Sequence, residues 1–448
     1  MLRLSMTLPM LAAISFALQS TTVDAFRIEG MSHAHSFEML RDLTKGIGGR
    51  LSGSPQAAKA VQWGQKKMTS LGFENVHLVP CKVPHWVRGK TERAAIIQGS
   101  RRTPLAVCVL GGSVSTPRGG LTGEVIEVTS LDEVATLGEK VRGKIVFYNR
   151  SFDPTLLNTF AAYGGAVDQR SQGAVVAAKS GAIATVVRSM SSALDDVPHT
   201  GSMSYADGVP KIPGFALSTL AANRLDQSLS QDPHLRLSLE CNSQTLADVD
   251  SASVVGEIRG SEKPDEIIVM GGHLDSWDLG EGAHDDGAGC VQAMEALSLI
   301  KRLGLRPKRT IRVVLFMNEE NGLRGGRSYA DAKKLETHIA AIESDSGGFA
   351  PRSFGVTGTP NQVAKIQSWL PDLQTVGIER IHVGGGGADI GPLGPSGTVL
   401  IGLIPESQRY FDYHHSKNDT LDKVNPRELQ LGAISMAILA WKLSEEGT

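Results

Sequence analysis

The 448-residue sequence lacks several features that would assign a function at once. Its four cysteines, at positions 81, 108, 241 and 290, are too far apart for a compact disulfide framework or a CxxC zinc pattern. We therefore expect mostly buried thiols, with at most one disulfide. Neither HExxH nor GxSxG occurs, which disfavours a thermolysin-like zinc helix and a serine nucleophile elbow.

Charge of one sign is also scarce. The formal net charge is −2, and no block of five or six Lys and Arg residues occurs. Such a balance argues against a nucleic-acid backbone or an anionic membrane surface as partner. Small neutral or zwitterionic ligands fit this composition better.

No apolar run reaches the roughly 20 residues that a membrane-spanning helix needs. The apolar stretch Leu8 to Leu18 follows Arg3 and precedes Val23-Asp24-Ala25, which is a small-residue cleavage pattern. Residues 1–25 are therefore predicted to be a signal peptide, and the mature chain is expected to begin near Phe26. We expect a secreted protein with an extracellular, periplasmic or lysosomal destination.

The remaining chain is long enough for two domains, since single cores rarely exceed roughly 250–300 residues. Short apolar runs alternate with helical patterns, which predicts an α/β fold with a sheet covered on both faces by helices. The strand-like runs are EIIVMGG (266–272), TIRVVLFMNEE (310–320), AAIESD (340–345) and TVLIGLIPE (398–406). Ser54 and Asn425 stand where helix caps are expected, each followed by a proline.

The sequence between roughly residues 119 and 248 has a different pattern of strands and loops. Short strand-like runs such as KIVFYN and IATVVRS are separated by loops rich in Gly, Ser and Pro. We interpret residues 119–248 as an inserted β-rich module. It divides the larger domain into an N-terminal part, residues 26–118, and a C-terminal part, residues 249–448.

Acidic and histidine side chains follow the predicted strands of the larger domain. The segment GGHLDSWDLGEGAHDDGAGC, residues 271–290, follows one strand, EE follows the next, and an aspartate follows the third. YFDYHHSKNDT adds two histidines near the C-terminus. Because ligands gather at the carboxyl ends of strands in open α/β sheets, these segments can converge on one crevice.

Each of these pieces has a simpler reading. DDG alone is more often a turn, EE a solvated helix start, and HH a surface or packing feature. Four such pieces at strand ends favour a common site. Imidazoles and carboxylates without cysteine suit zinc or a similar divalent ion, and two ions would let several carboxylates lie together.

The ordered pattern HLD, DDG, EE, D, H resembles peptidase family M28, the two-zinc exopeptidases of clan MH, over most of the mature chain. The resemblance implies a phosphorylase/hydrolase-like zinc exopeptidase fold with an inserted protease-associated (PA) domain. It also implies two zinc ions and a cis peptide between the two aspartates of DDG. The metal ligands carried over by position are His273, Asp285, Glu320, Asp345 and His415.

In this resemblance, Asp285 bridges the two ions, with His273 and Asp345 on one and Glu320 and His415 on the other. His415 is chosen over His414 because the family ligand lies four residues before the acidic position held here by Asp419.

Further roles come from the same resemblance. Glu319 matches the general base that activates a metal-bridging water, and Asp275 matches the carboxylate that orients the ligand histidine. Many relatives have a tyrosine before the ligand histidine as oxyanion donor, and this chain has His414 there. Asp389 is a candidate contact for the substrate amine, although a turn aspartate among glycines fits the pattern equally well.

The expected activity is hydrolysis of short peptides, above all dipeptides with free termini, by a homodimer whose inserted domain covers the cleft. His199 and Asp207 of that domain are candidate lid contacts, or simply polar loop residues. An aminopeptidase acting on longer peptides is the nearest alternative. Two others remain: a non-catalytic binding protein, such as the transferrin receptor, and a single-zinc transferase like the glutaminyl cyclases.

Overall fold

The computed structural model describes residues 22–448. Most of the predicted signal peptide, residues 1–21, lies outside the described residues. Residues 22–32 form a helix, α1, in which Val23 and Phe26 are buried. Cleavage near Phe26 stays a prediction.

Sixteen strands are found among the described residues. They are β1 (Glu74–Val87), β2 (Glu92–Gln98), β3 (Arg101–Leu105), β4 (Val107–Val109), β5 (Leu121–Val128), β6 (Ile145–Tyr148), β7 (Ala184–Arg188), β8 (Gly214–Leu217), β9 (Arg236–Cys241), β10 (Gln244–Ile258), β11 (Lys263–His273), β12 (Arg309–Phe316), β13 (Thr337–Ser344), β14 (Pro351–Thr357), β15 (Arg380–Val383) and β16 (Val399–Pro405).

The helices that follow α1 are α2 (Ser36–Gly46), α3 (Pro55–Ser70), α4 (Leu131–Leu137), α5 (Thr159–Gly164), α6 (Asp168–Ser171), α7 (Gly173–Lys179), α8 (Thr219–Gln231), α9 (Ala288–Arg302), α10 (Arg324–Ala332), α11 (Pro360–Gln367), α12 (Leu370–Gln374), α13 (Tyr410–Tyr413) and α14 (Pro426–Glu446). Within the described part of the chain, none is both long and apolar enough to cross a membrane.

The first sheet has the order β1-β10-β12-β11-β13-β16-β14-β15. Its centre is parallel, since β12, β11, β13 and β16 run in the same direction, whereas both flanks contain antiparallel pairs. The four strands predicted from sequence lie in this parallel centre. The predicted mixed α/β sheet is therefore confirmed.

Helices cover both faces of the first sheet. Alternate residues of β11 point to opposite sides, so Ile268 and Met270 pack with α9 and α14, while Ile267 and Val269 pack with Tyr329 of α10. The predicted caps are present as well. The Ser54 side chain accepts from the backbone of α3, and the Asn425 side chain accepts from two backbone N–H groups of α14.

The second sheet has the order β3-β2-β9-β5-β6-β7-β8-β4. It begins at Glu92 and ends at Cys241, so the boundary predicted at residue 119 falls between two of its strands and the boundary at 248 falls inside β10 of the first sheet. The difference arises because β2 pairs with β9, far away in sequence. Local sequence patterns do not indicate which distant strands pair.

The segment of the second sheet also contains more helix than the predicted β-rich module. Helices α4 to α8 connect its strands, and β5 to β8 are parallel neighbours. Ser130, Asn158 and Ser218 cap three of these helices.

Candidate metal centre

The candidate ligands lie at the carboxyl edge of the parallel strands. His273 is the last residue of β11, Glu319 and Glu320 follow β12, and Asp345 follows β13 directly. Asp285 lies in the turn that leads into α9. His414 and His415 follow α13. The topology thus brings together segments that are up to 142 residues apart in sequence, from His273 to His415.

One group of ligand atoms surrounds the first oxygen of Asp285. His273 Nε2 lies 3.1 Å from Asp285 Oδ1 and 3.4 Å from Asp345 Oδ1. His273 and Asp285 are buried, whereas a quarter of the Asp345 side chain is exposed. These three residues form a set with converging atoms.

A second group surrounds the other oxygen of the same carboxylate. His415 Nε2 lies 3.3 Å from Asp285 Oδ2 and 3.1 Å from Glu320 Oε2. His414 Nε2 is farther from Asp285 Oδ2, at 3.7 Å, and its ring stacks on that of His415 with centroids 3.5 Å apart. Asp285, His414 and His415 form a second set with converging atoms, and His415 also faces Glu320.

The donor set fits zinc. Ligand atoms on a tetrahedral zinc ion lie about 3.3 Å apart, because each bond is roughly 2.0–2.1 Å long. The observed separations of 3.1 to 3.4 Å match that value. Asp285 Oδ2 is buried and lacks a hydrogen-bond partner in the described part of the chain.

The electrostatics of the site point the same way. Burial, followed by the charge of Asp285, raises the pKa of Glu320 well above its usual value, and burial likewise raises that of Asp345. Carboxylates this close repel one another when ionised. Divalent cations between the carboxylates would offset this repulsion, so a metal site explains why the acidic residues lie so close together.

Two further carboxylates fix the turn that carries Asp285. Asp419 accepts hydrogen bonds from the backbone N–H groups of Ala283, His284 and Asp285. Asp286 accepts from the N–H groups of His273 and Gly289. The peptide between Asp285 and Asp286 is cis, as the resemblance implied.

Asp275 is placed differently from its expected role. The Nδ1 atom of His273 lies 2.9 Å from the backbone oxygen of Asp275 but 4.0 Å from its carboxylate. That carboxylate accepts from the N–H groups of Asn318 and Glu319 and from the hydroxyl of Ser52. Asp275 therefore orients His273 through its main chain, and its side chain fixes the turn that carries Glu319.

Burial shifts the pKa values of Glu319 and His414 in opposite directions. Burial raises the pKa of the Glu319 carboxyl to about 8, so it is suited to exchanging a proton near neutral pH. Burial lowers the pKa of His414 to about 3, so its imidazole is neutral. Neutral imidazole still carries one N–H that can donate a hydrogen bond.

Asp389 is buried in the loop after β15, and neither carboxylate oxygen has a hydrogen-bond partner among residues 22–448. Burial, then the charges of Glu343 and Glu319, raises its pKa well above the usual value. Glu343 itself accepts the backbone N–H groups of Asp389 and Ile390. Asp389 belongs to the acidic surroundings of Glu319 and is not among the converging ligand atoms.

Arg50 contributes to the site but was not predicted from sequence. The Arg50 side chain is wholly buried and donates to the backbone oxygens of Leu274, Glu281 and Gly282, which flank the Asp285 turn. Its only sequence signal is a charged residue between a GG turn and a helix cap.

The two lid candidates differ. His199 is buried and its Nδ1 lies 2.6 Å from the backbone oxygen of His414, whereas Asp207 is exposed.

All four cysteines are buried free thiols, so the structure contains no disulfide among them.

Comparison with known proteins links this geometry to peptidases. The family model for peptidase family M28 matches residues 253–440. The chain is similar to carboxypeptidase Q of Homo sapiens, with 38% identity over 93% of this chain and 87% of that protein. Carboxypeptidase Q of Bos taurus is 37% identical over the same shares.

Solved structures agree. The crystal structure of a peptidase M28 precursor from Shewanella amazonensis has a TM-score of 0.92 and 34% identity, covering 96% of this chain and 97% of that one. A zinc aminopeptidase from Bacillus subtilis has a TM-score of 0.65 at 18% identity, covering 91% of this chain and 94% of that one. The second likeness concerns the fold alone.

Proposed function

This chain belongs to peptidase family M28 as a zinc metallopeptidase, and from that premise we propose that it is a secreted dizinc exopeptidase hydrolysing dipeptides with free termini. The observation that carries the proposal is the Asp285 carboxylate, whose two oxygens each face a separate group of ligand atoms. Glu319 precedes the candidate ligand Glu320 in the chain, and burial raises the pKa of its carboxyl to about 8.

Two zinc ions would be held by Asp285 between them, with His273 and Asp345 on one side and Glu320 and His415 on the other. When bound, zinc polarises a carbonyl oxygen and makes a coordinated water more acidic. The chain's own residues supply the remaining steps.

Glu319 accepts a proton from the water that attacks the peptide carbonyl and passes it to the leaving amine nitrogen. The backbone hydrogen bond from its N–H to Asp275 holds Glu319 in place, and partial burial keeps its pKa high enough for the second transfer. Neutral His414, next to Asp285, donates its N–H to the oxygen that becomes negative during the attack.

Recognition of a free substrate amine is assigned to Asp389. An ammonium group would supply the partner that both oxygens of this buried carboxylate lack within the described residues. We also propose that residues of the second sheet form a PA domain that limits the cleft to short peptides, that the enzyme is a homodimer, and that residues 1–25 direct secretion.

The experiment compares one dipeptide in four forms, namely free, N-acetylated, C-amidated and extended to a tripeptide, using the purified mature protein with zinc. We expect cleavage of the free dipeptide and a loss of kcat/KM of at least about 100-fold for the N-acetylated form, since Asp389 left buried without a partner costs about 3 kcal/mol. An enzyme that needs both free termini should also fail to cleave the C-amidated form. Cleavage of the amidated form and the tripeptide at similar rates would instead indicate an aminopeptidase acting on longer peptides.

A further inference from the structure

A short segment of the second-sheet module, residues 199–202, reaches the metal centre of the first sheet. An isolated β-bridge joins His199 to Ser416, and the N–H of Thr200 donates to the backbone oxygen of His415 at 2.9 Å. Residues 199–202 thus run alongside the loop that carries the two histidines. We call them the 199–202 segment.

The 199–202 segment offers an acceptor to Nδ1 of His415. This nitrogen lies 3.4 Å from the backbone oxygen of Thr200, which can accept from the tautomer with hydrogen on Nδ1, and 3.5 Å from Nη1 of Arg170. That tautomer leaves the lone pair on Nε2, the atom that faces Asp285 and Glu320. Such partners commonly fix the ring orientation of a metal-binding histidine.

Two side chains of the segment hold the neighbouring main chain. His199 Nδ1 donates to the backbone oxygen of His414 at 2.6 Å, and the Ser202 hydroxyl donates to the backbone oxygen of Glu320 at 2.8 Å. Glu320 and His415 are the two ligands assigned to one ion besides Asp285. Both are therefore attached to the same four-residue segment.

The segment is itself firmly held by its own module. Gly111 donates its N–H to the oxygen of Gly201, and the Thr200 hydroxyl donates to the oxygen of Val109. The Arg170 guanidinium lies against Gly201, where a Cβ atom would be 2.3 Å from its Nη1 atom. Because Gly201 has a φ of +135°, which L side chains rarely adopt, another residue there would strain the segment.

The ligands of the other ion are held by the first-sheet domain. His273 is oriented by the backbone oxygen of Asp275, and its N–H donates to Asp286. Asp345 continues directly from β13. The two halves of the metal centre therefore depend on different parts of the molecule.

We propose that the 199–202 segment is a positioning element for the ion bound by Glu320 and His415, so that the second-sheet module sets the affinity of one ion and leaves the other unaffected. This inference rests on the proposed dizinc function. It assigns the module a role in building the site, beyond covering a cleft.

The test is a zinc titration of the metal-free full-length mature protein against a chromophoric chelator, which resolves two binding steps. Asp345→Ala and Glu320→Ala identify which step belongs to which ion. Ser202→Ala and His199→Phe each remove one contact, and we expect about tenfold weaker binding in the Glu320 step alone. His199→Asn, whose amide can replace the Nδ1 donor, should restore most of that affinity.

Ser204→Ala is the matched control, because Ser204 is exposed in the same loop. It should leave both steps unchanged, and thermal unfolding of the metal-free proteins checks that every variant is folded. Equal weakening of zinc binding in both steps would overturn the inference. Unchanged zinc binding in both Ser202→Ala and His199→Phe would also overturn it. A wild-type protein that binds fewer than two zinc ions would overturn the proposed function itself.

Discussion

At the scale of single residues, Asp389 combines a cost in stability with a candidate role in binding. Both carboxylate oxygens are buried and lack hydrogen-bond partners in the part of the chain described. A buried carboxyl in that state costs free energy, whether it is neutral or ionised. Unpaired buried groups of this kind are found at functional sites, where a ligand supplies the missing partner.

We predict that Asp389→Asn raises KM for a free dipeptide about tenfold and leaves the melting temperature unchanged or higher. The amide has the same shape but cannot carry the negative charge that an ammonium group needs. Steady-state kinetics and thermal unfolding, with exposed Asp207→Asn as control, measure both effects. An unchanged KM would show that Asp389 is only a buried loop residue.

The residue scale is also where the sequence was most informative. Four of the candidate ligands follow a strand or a glycine-rich turn, and the fifth, His415, lies at a fixed spacing from Asp419. The pattern resembles a known family, so these candidates could be listed without coordinates. The separate roles of the Asp275 backbone and carboxylate could not be predicted from sequence. Whether His273 contacts the backbone oxygen or the carboxylate depends on a difference of about one ångström between two distances.

At the scale of elements, the turn between β11 and α9 depends on a side chain from elsewhere in the chain. Arg50 precedes α3 and donates to three backbone oxygens of that turn. Burial lowers the pKa of its guanidinium, and nearby acidic groups that include Asp419 and Asp275 oppose this effect. Without Arg50, the backbone oxygens of Leu274 and Glu281 would lose this donor, whereas the oxygen of Gly282 would keep the N–H of Gly287.

We predict that Arg50→Lys lowers the free energy of unfolding by about 3 kcal/mol, because a lysine ammonium cannot reach all three oxygens and each unsatisfied carbonyl costs roughly 1–3 kcal/mol. Urea denaturation of the metal-free protein measures the change. Arg41→Lys, the same substitution at an exposed helix position, should change stability by less than about 0.5 kcal/mol. A similarly small effect at Arg50 would contradict the role assigned to it.

Elements with strong local signals were predicted well. The caps at Ser54 and Asn425 and the four central strands appear where their patterns place them. Strands β2 to β4 were missed. They are short, and β2 and β4 pair with β9 and β8, more than a hundred residues later, whereas β3 pairs with its neighbour β2. Pairing over such distances leaves no periodic mark in the sequence.

At the scale of the whole molecule, the two sheets meet around the metal centre. Arg88 binds Asp278 from the metal-ligand segment and also the hydroxyl of Thr200. Phe160 and Tyr163 of α5 pack against Phe411, three residues before His414. The site is therefore a joint product of both parts of the chain, which a reading of the catalytic motifs alone does not reveal.

The central claim is that two zinc ions and Glu319 act together. The most direct measurement is the zinc content and turnover of a free dipeptide for the wild-type protein and for Glu319→Gln. We predict two zinc ions per chain in both proteins and a kcat about 10²–10⁴-fold lower in the variant, because it binds metal but cannot transfer the proton. Wild-type-like turnover in a fully loaded Glu319→Gln variant, or turnover by a wild-type protein without zinc, would contradict the account.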